Sequence, residues 1–274
     1  MQNNLKISFI GGGNMAAALI GGLAGKLTAA DNIHVVDINA DALAKLQQQF
    51  GVRTTSSIDA AIAACDVIVL SVKPQQMKDV VAQLVPYVKA QLVLSIAAGI
   101  RAVDLSRWLG GHNAIVRTMP NTPALIGKGV TGLVATAGVS AEQRAAADAI
   151  LRAVGETVWL DDEKLIDPVT AVSGSGPAYV FYFIEAMQQA AQEMGLTAEQ
   201  GNALAISTFV GAAQLAAQSP DPVSVLRERV TSKGGTTYAA LTSMEESGVK
   251  AAIIKAMKAA AARGQALGEE FGRD

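Results

Sequence analysis

Residues 231–237 read Thr-Ser-Lys-Gly-Gly-Thr-Thr and interrupt an alanine-rich region of helical character. Residues of modest or poor helix propensity, two of them adjacent glycines, do not serve a packed helix face. They offer hydroxyls and free backbone N–H groups just before a new helix opens near Thr236, a combination suited to holding a small anion. A second stretch, Gly11-Gly12-Gly13-Asn14-Met15-Ala16, points to a larger ligand. Gly11, Gly13 and Ala16 form the G-x-G-x-x-A version of the dinucleotide fingerprint. Gly11 permits a tight turn, Gly13 lets the backbone approach a pyrophosphate, and Ala16 lets a helix lie close to its strand. A structural glycine turn could use the same residues, but Asp37 ends the next apolar run about twenty residues after Ala16, where a carboxylate accepts a ribose 2′-hydroxyl and repels a 2′-phosphate.

The elements that must position these residues follow from the pattern of the first half. Leu5–Ile10 is apolar and β-compatible, turns on the glycines and continues as a helix from Asn14. The runs 33–37, 66–72, 91–99 and 113–120 are short, apolar and β-branched, and helical patterns at 40–50 and 74–84 separate them. Strands buried on both faces read this way. The alternation predicts a Rossmann-type, doubly wound, mostly parallel sheet with right-handed crossovers over residues 1–160. Ligands bind at the carboxyl ends of such strands, so Ser71-Val72-Lys73-Pro74, Ala97-Ala98-Gly99 and Met119-Pro120-Asn121 are expected to line the far half of the cofactor, although each could equally be a turn.

After residue 160 the β-type runs stop. Helical patterns at 173–195, 198–218, from Thr236 and at 249–271 predict an all-α domain over 161–274, with Thr197 capping one helix and Gly195 ending another. Half of the 274 residues are hydrophobic and 17% are charged, so apolar surface is expected to be shared with a second subunit. The formal net charge of −2 comes without a basic block, which argues against nucleic acid. The apolar start is cut by glycines and an asparagine and no later run is long enough to span a bilayer, so neither a secretory signal nor a membrane segment is expected. The single cysteine, Cys65, fits a core residue in a reducing cytoplasm and leaves no basis for a metal site.

A dinucleotide domain followed by helices indicates an oxidoreductase, yet the usual acid–base groups are missing. The two histidines, His34 within a strand and His112 in a glycine turn, are read as structural. Reduction of a ketone needs a proton donor to the developing alkoxide, whereas a protonated imine accepts hydride without further charge build-up. The missing acid therefore points toward C=N chemistry.

Taken together, "FIGGGNMA", "SVKP", "VRTMPNTPALIGKGVTGL", "AVSGSGPAYVF" and "VTSKGGTTYAAL" cover nearly the whole chain and resemble the pyrroline-5-carboxylate reductase family. The resemblance implies reduction of 1-pyrroline-5-carboxylate to L-proline by NADPH or NADH. Ser232, Gly234, Gly235 and Thr236 would grip the substrate carboxylate, Thr237 would hydrogen-bond the ring nitrogen as the catalytic residue, and Glu163 would lie near that nitrogen. It further implies a domain-swapped homodimer, often assembled into a higher homo-oligomer such as a decamer. Many members carry Asn-Arg or a serine after the second strand to receive a 2′-phosphate. Here the residues are Asp37-Ile38-Asn39, which tilts the expectation toward NADH. The alternatives are a 3-hydroxyacid or 6-phosphogluconate-type dehydrogenase, whose expected catalytic lysine is replaced by Val180, and a non-catalytic dinucleotide-binding protein.

Overall fold

The computed structural model describes residues 4–273. Eight strands form one sheet in the order β3-β2-β1-β4-β5-β6-β7-β8. They are β1 (Ile7–Ile10), β2 (Ile33–Val36), β3 (Arg53–Thr55), β4 (Val67–Leu70), β5 (Leu92–Ser95), β6 (Ile115–Met119), β7 (Gly129–Ala135) and β8 (Gly155–Trp159). All neighbouring pairs are parallel except β6 with β7. Helices α1 (Asn14–Leu23), α2 (Ala40–Phe50), α3 (Met77–Leu84), α4 (Ala102–Trp108) and α5 (Ala141–Arg152) connect or follow strands. Their apolar faces cover both sides of the sheet, which explains the near-continuous apolar runs: Ile7 and Phe9 enter one core cluster while the neighbouring Ile10 enters the other.

Strand order reverses between β1 and β4, whose residues pair in register from Ile7↔Val67 to Ile10↔Leu70. This is the switch point at which open α/β sheets form their ligand crevice. The short β3 has no apolar run, and β8 alternates between partly buried and exposed residues, so neither stands out in the sequence. Among the described residues no helix is long and apolar enough to cross a membrane.

The chain divides into two compact units. One runs to Ser175 and takes the chain back from Ala259, and the other is Gly176–Lys258. The expected boundary at residue 160 coincides with the end of β8, but the chain stays on the sheet as far as Ser175. Short turns, α6 (Ile166–Val169) and a π-helical turn at Thr170–Gly174 are held there by Arg117 and Asn121, as described below.

The second unit contains α7 (Gly176–Glu193), α8 (Ala198–Gln218), α9 (Val223–Arg229), α10 (Thr236–Glu246) and the beginning of α11 (Val249–Phe271). Gly195 takes φ 96° just after α7, and Thr197 opens α8 with a capping box to Gln200, both as the sequence predicts. Helices α7 and α8 bury only Ala191, Gly201 and Ala205, so their contact is close and built from small residues.

Candidate active site

The glycine turn after β1 takes its shape from its neighbours. Gly11 has φ 105°, and a Cβ there would lie 2.7 Å from the carbonyl oxygen of Ser71, so no other residue fits. Ser71 reinforces this approach by donating its hydroxyl to the carbonyls of Ile10 (3.0 Å) and Gly11 (2.7 Å). At Gly13 a Cβ would meet nothing within 4 Å. That position is open space in front of α1, whose N-terminus no side chain caps. Among the described residues the N–H groups of Asn14, Met15 and Ala16 have no acceptor, and beside this open backbone surface they have the chemistry of a pyrophosphate cradle.

Asp37 stands at the end of β2 with both oxygens engaged by backbone. Gly12 N–H donates to Oδ2 at 2.6 Å and Asn39 N–H to Oδ1 at 2.8 Å. Each carboxylate oxygen has a second lone pair, so the group can still accept from a ribose hydroxyl. A groove of about 420 Å³ opens beside it, lined by Gly11, Asp37, Asn39, Ser57, Ser71 and Lys73 among others. Ser56 and Ser57 follow β3 and were not singled out in the sequence, because a strand that short gives no signal. Val72 is part-buried, Lys73 is exposed, and Pro74 opens a turn ahead of α3.

Ala97-Ala98-Gly99 and Met119-Pro120-Asn121 follow β5 and β6, so the structure brings all the expected cofactor segments to the carboxyl edge of one sheet. Asn121, however, has a structural task. It is buried, its Oδ1 accepts the N–H of Val130 at 2.9 Å, and its Nδ2 donates to the carbonyl of Ser173 at 3.1 Å. Its side chain thus ties the loop after β6 to the π-helical turn. Met119 meets the same turn, since a Cβ on Gly174 would lie 2.6 Å from Met119 Cε.

Glu163 also has partners on the sheet side. Its Oε1 accepts from the N–H of Ala102, the first residue of α4, at 2.7 Å and from Arg117 at 2.9 Å. Arg117 is 3% exposed in the middle of β6 and also approaches Asp167 at 3.9 Å. Burial raises the Asp167 carboxyl above its ordinary value more than the Arg117 and Arg101 charges lower it, and Glu163 adds to the rise. The sequence held one signal for this cluster: an arginine within the apolar run 113–120 needs a counter-charge. The first of the two histidines fits a structural role. His34 is buried between Ser8 and Thr55, and burial lowers its pKa. Cys65 is a buried core residue whose thiol pKa burial raises.

The loop at 231–237 lies in the other unit. Gly235 N–H donates to the Ser232 carbonyl at 3.0 Å, with Lys233 and Gly234 between them and Gly234 at φ 74°. This matches a type II turn, in which glycine supplies the positive φ at the third position. The turn delivers the chain into α10 with Gly235 as an N-cap that has no side-chain cap. Among the described residues the N–H groups of Thr236, Thr237 and Tyr238 have no acceptor, and neither do the Ser232 and Thr237 hydroxyls. An oriented set of donors therefore converges at a helix N-terminus, the arrangement that holds a carboxylate.

Two family models match parts of the chain. Residues 163–267 match a family model described as pyrroline-5-carboxylate reductase dimerisation, and residues 6–99 match one described as NADP oxidoreductase, coenzyme F420-dependent. The chain is 48% identical over 269 residues to a pyrroline-5-carboxylate reductase of Pseudomonas aeruginosa, covering 98% of each. Among solved structures, the pyrroline-5-carboxylate reductase of Coxiella burnetii superposes with a TM-score of 0.91 at 40% identity, over 97% of this chain and 99% of that one. The Plasmodium falciparum pyrroline carboxylate reductase, solved with NADP bound, gives 0.88 at 30% identity over 98% and 100%.

Proposed function

The chain belongs to the pyrroline-5-carboxylate reductase family, and from that premise we infer that it reduces the C=N bond of 1-pyrroline-5-carboxylate to give L-proline, the last step of proline biosynthesis. The observation that carries this reading is the donor set at the start of α10, which can fix a carboxylate within a helical unit that contains no histidine. Thr236 and Thr237 N–H groups and the Ser232 hydroxyl would hold the carboxylate, and the Thr237 hydroxyl would orient the ring nitrogen. When bound, the reduced nicotinamide supplies a hydride to the imine carbon, and the nitrogen carries the proton that makes it electrophilic. Glu163 is assigned to the substrate surroundings by family likeness, while its hydrogen bonds favour a role in holding α4 to β6.

The glycine turn, the uncapped start of α1 and the groove beside Asp37 fit a dinucleotide. Of the two cofactor forms we favour NADH as the better donor, with NADPH also accepted. Asp37 faces the groove, and Ile38 is 86% exposed and offers no cation for a 2′-phosphate. The sheet-bearing unit of one copy is proposed to face the donor loop of a second in a swapped homodimer, alone or within a larger assembly such as a decamer. Exposed apolar helix faces and the dimerisation-family match support this. We place the enzyme in the cytoplasm.

The test is oxidation of NADH and of NADPH with pyrroline-5-carboxylate, beside hydroxyacid oxidation run in reverse. Proline formation without hydroxyacid turnover is expected. Hydroxyacid turnover at a comparable rate would return the dehydrogenase alternative.

A further inference from the structure

The last turns of α11 return to the sheet-bearing unit and press on the loop after β5. A Cβ on Gly99, whose φ is 73°, would lie 3.0 Å from Leu267 Cβ and 3.2 Å from Phe271 Cδ2. Phe271 packs against the core cluster that contains Ala97, Ile100 and Leu105, so it touches the base of the same loop. Polar contacts hold the helix end in this register. Arg101 donates to the Gln265 carbonyl at 3.5 Å and lies 3.8 Å from Glu269, and Arg107 donates to the Gly272 carbonyl at 2.8 Å. Gly268 lets the helix backbone come this close, since a Cβ there would lie 2.9 Å from Arg101 Nε.

We propose that Leu267 and Phe271 are positioning residues for the cofactor: they form the wall behind Ala97–Gly99 and fix the loop that supports the nicotinamide half. The inference rests on the dinucleotide reading given above. The loop has few anchors of its own. It follows β5 directly, its glycine has left-handed geometry, and the side chains behind it come from residues more than a domain away in sequence. Removing the wall lets the loop relax into the vacated space. The adenosine half depends on the turn after β1 and on Asp37, which the α11 contacts do not include.

The experiment compares Phe271→Ala, Phe271→Leu and Leu267→Ala with the unaltered full-length chain. It measures Kd for NADH, NADPH and ADP-ribose by titration, together with steady-state KM and kcat. Phe271→Ala is expected to raise KM and Kd for the whole cofactors about tenfold and to change kcat less than about twofold, the pattern of a lost binding contribution. Its affinity for ADP-ribose, which lacks nicotinamide, should stay within about twofold. Phe271→Leu should show a smaller rise with the same selectivity, which keeps the test decisive if the alanine form does not fold. Leu267→Ala should follow Phe271→Ala. Equal weakening of ADP-ribose and whole cofactor, or no weakening in folded variants, overturns the proposal. Failure of the unaltered chain to bind ADP-ribose or either cofactor would instead overturn the dinucleotide reading.

Discussion

Thr237 combines a free hydroxyl with a place on the first turn of α10, as Thr236 does, and of the two Thr237 is the one partly buried. If its hydroxyl orients the ring nitrogen, Thr237→Ala should lower turnover by about 10²-fold, the low end for a positioned proton-transfer group, while NADH affinity is unchanged. Equal loss of cofactor affinity would make the loop structural. Lys233 is exposed at the second position of the turn, so Lys233→Ala should alter turnover little. Asp37 supports a second prediction at this scale. A charge-assisted hydrogen bond to the ribose is worth about 1.5–3 kcal/mol, and the same carboxylate repels a 2′-phosphate. Asp37→Ser with Ile38→Arg should reverse the NADH-over-NADPH order, because it removes the repulsion and adds a bidentate phosphate binder. The measure is the ratio of kcat/KM for the two cofactors at one ionic strength. A tenfold NADPH preference in the unaltered protein would mean that the Asp37 contacts with Gly12 and Asn39 are its whole function.

Two glycines of one turn separate folding from binding at the scale of the element. Gly11 is required by the close passage of β1 and β4, so Gly11→Ala should destabilise by about 1–3 kcal/mol through strain and clash. Gly13 has an ordinary φ of −72° and open space around it, so Gly13→Ala should melt close to the unaltered protein yet lose NAD(P)H affinity. Thermal unfolding beside cofactor titration checks both, and similar melting losses in the two variants would mean that the turn has no cradle. This turn was legible in the sequence because its G-x-G-x-x-A spacing is complete within six residues, with Gly11 at a positive φ. The end of α7 and the start of α8 were legible because both are set locally, the one by the positive φ of Gly195 and the other by the Thr197–Gln200 capping box within one turn. What escaped was set by distant partners. The role of Asn121 depends on Val130 and Ser173, that of Glu163 on Arg117 and Ala102, and the edge strands β3 and β8 lack a two-sided apolar pattern.

The helical unit poses a question of stability for the whole molecule. Helices α7 and α8 meet through Ala191, Gly201 and Ala205, side chains too small to contribute much by burial, while Tyr182 is 72% exposed and Leu204 and Leu215 are 58% and 59% exposed. Fully burying one large apolar side chain is worth about 1.5–3 kcal/mol, so most of the unit's available stabilisation lies on surface that the isolated chain leaves in water. A second copy can supply the missing cover, as the dimerisation-family match over residues 163–267 indicates. Leu204 and Leu215 are separated by about three helical turns and so lie along one face of α8. Replacing both with glutamate should shift the protein from dimer or larger assembly to monomer in sedimentation velocity and abolish proline formation. NAD(P)H binding should survive, because the sheet-bearing unit has its own two-sided core. A double variant that stays assembled and active would place the subunit contact elsewhere on the helices. An unaltered protein that sediments as a fully active monomer would leave these leucines without a partner and remove the shared-site arrangement altogether.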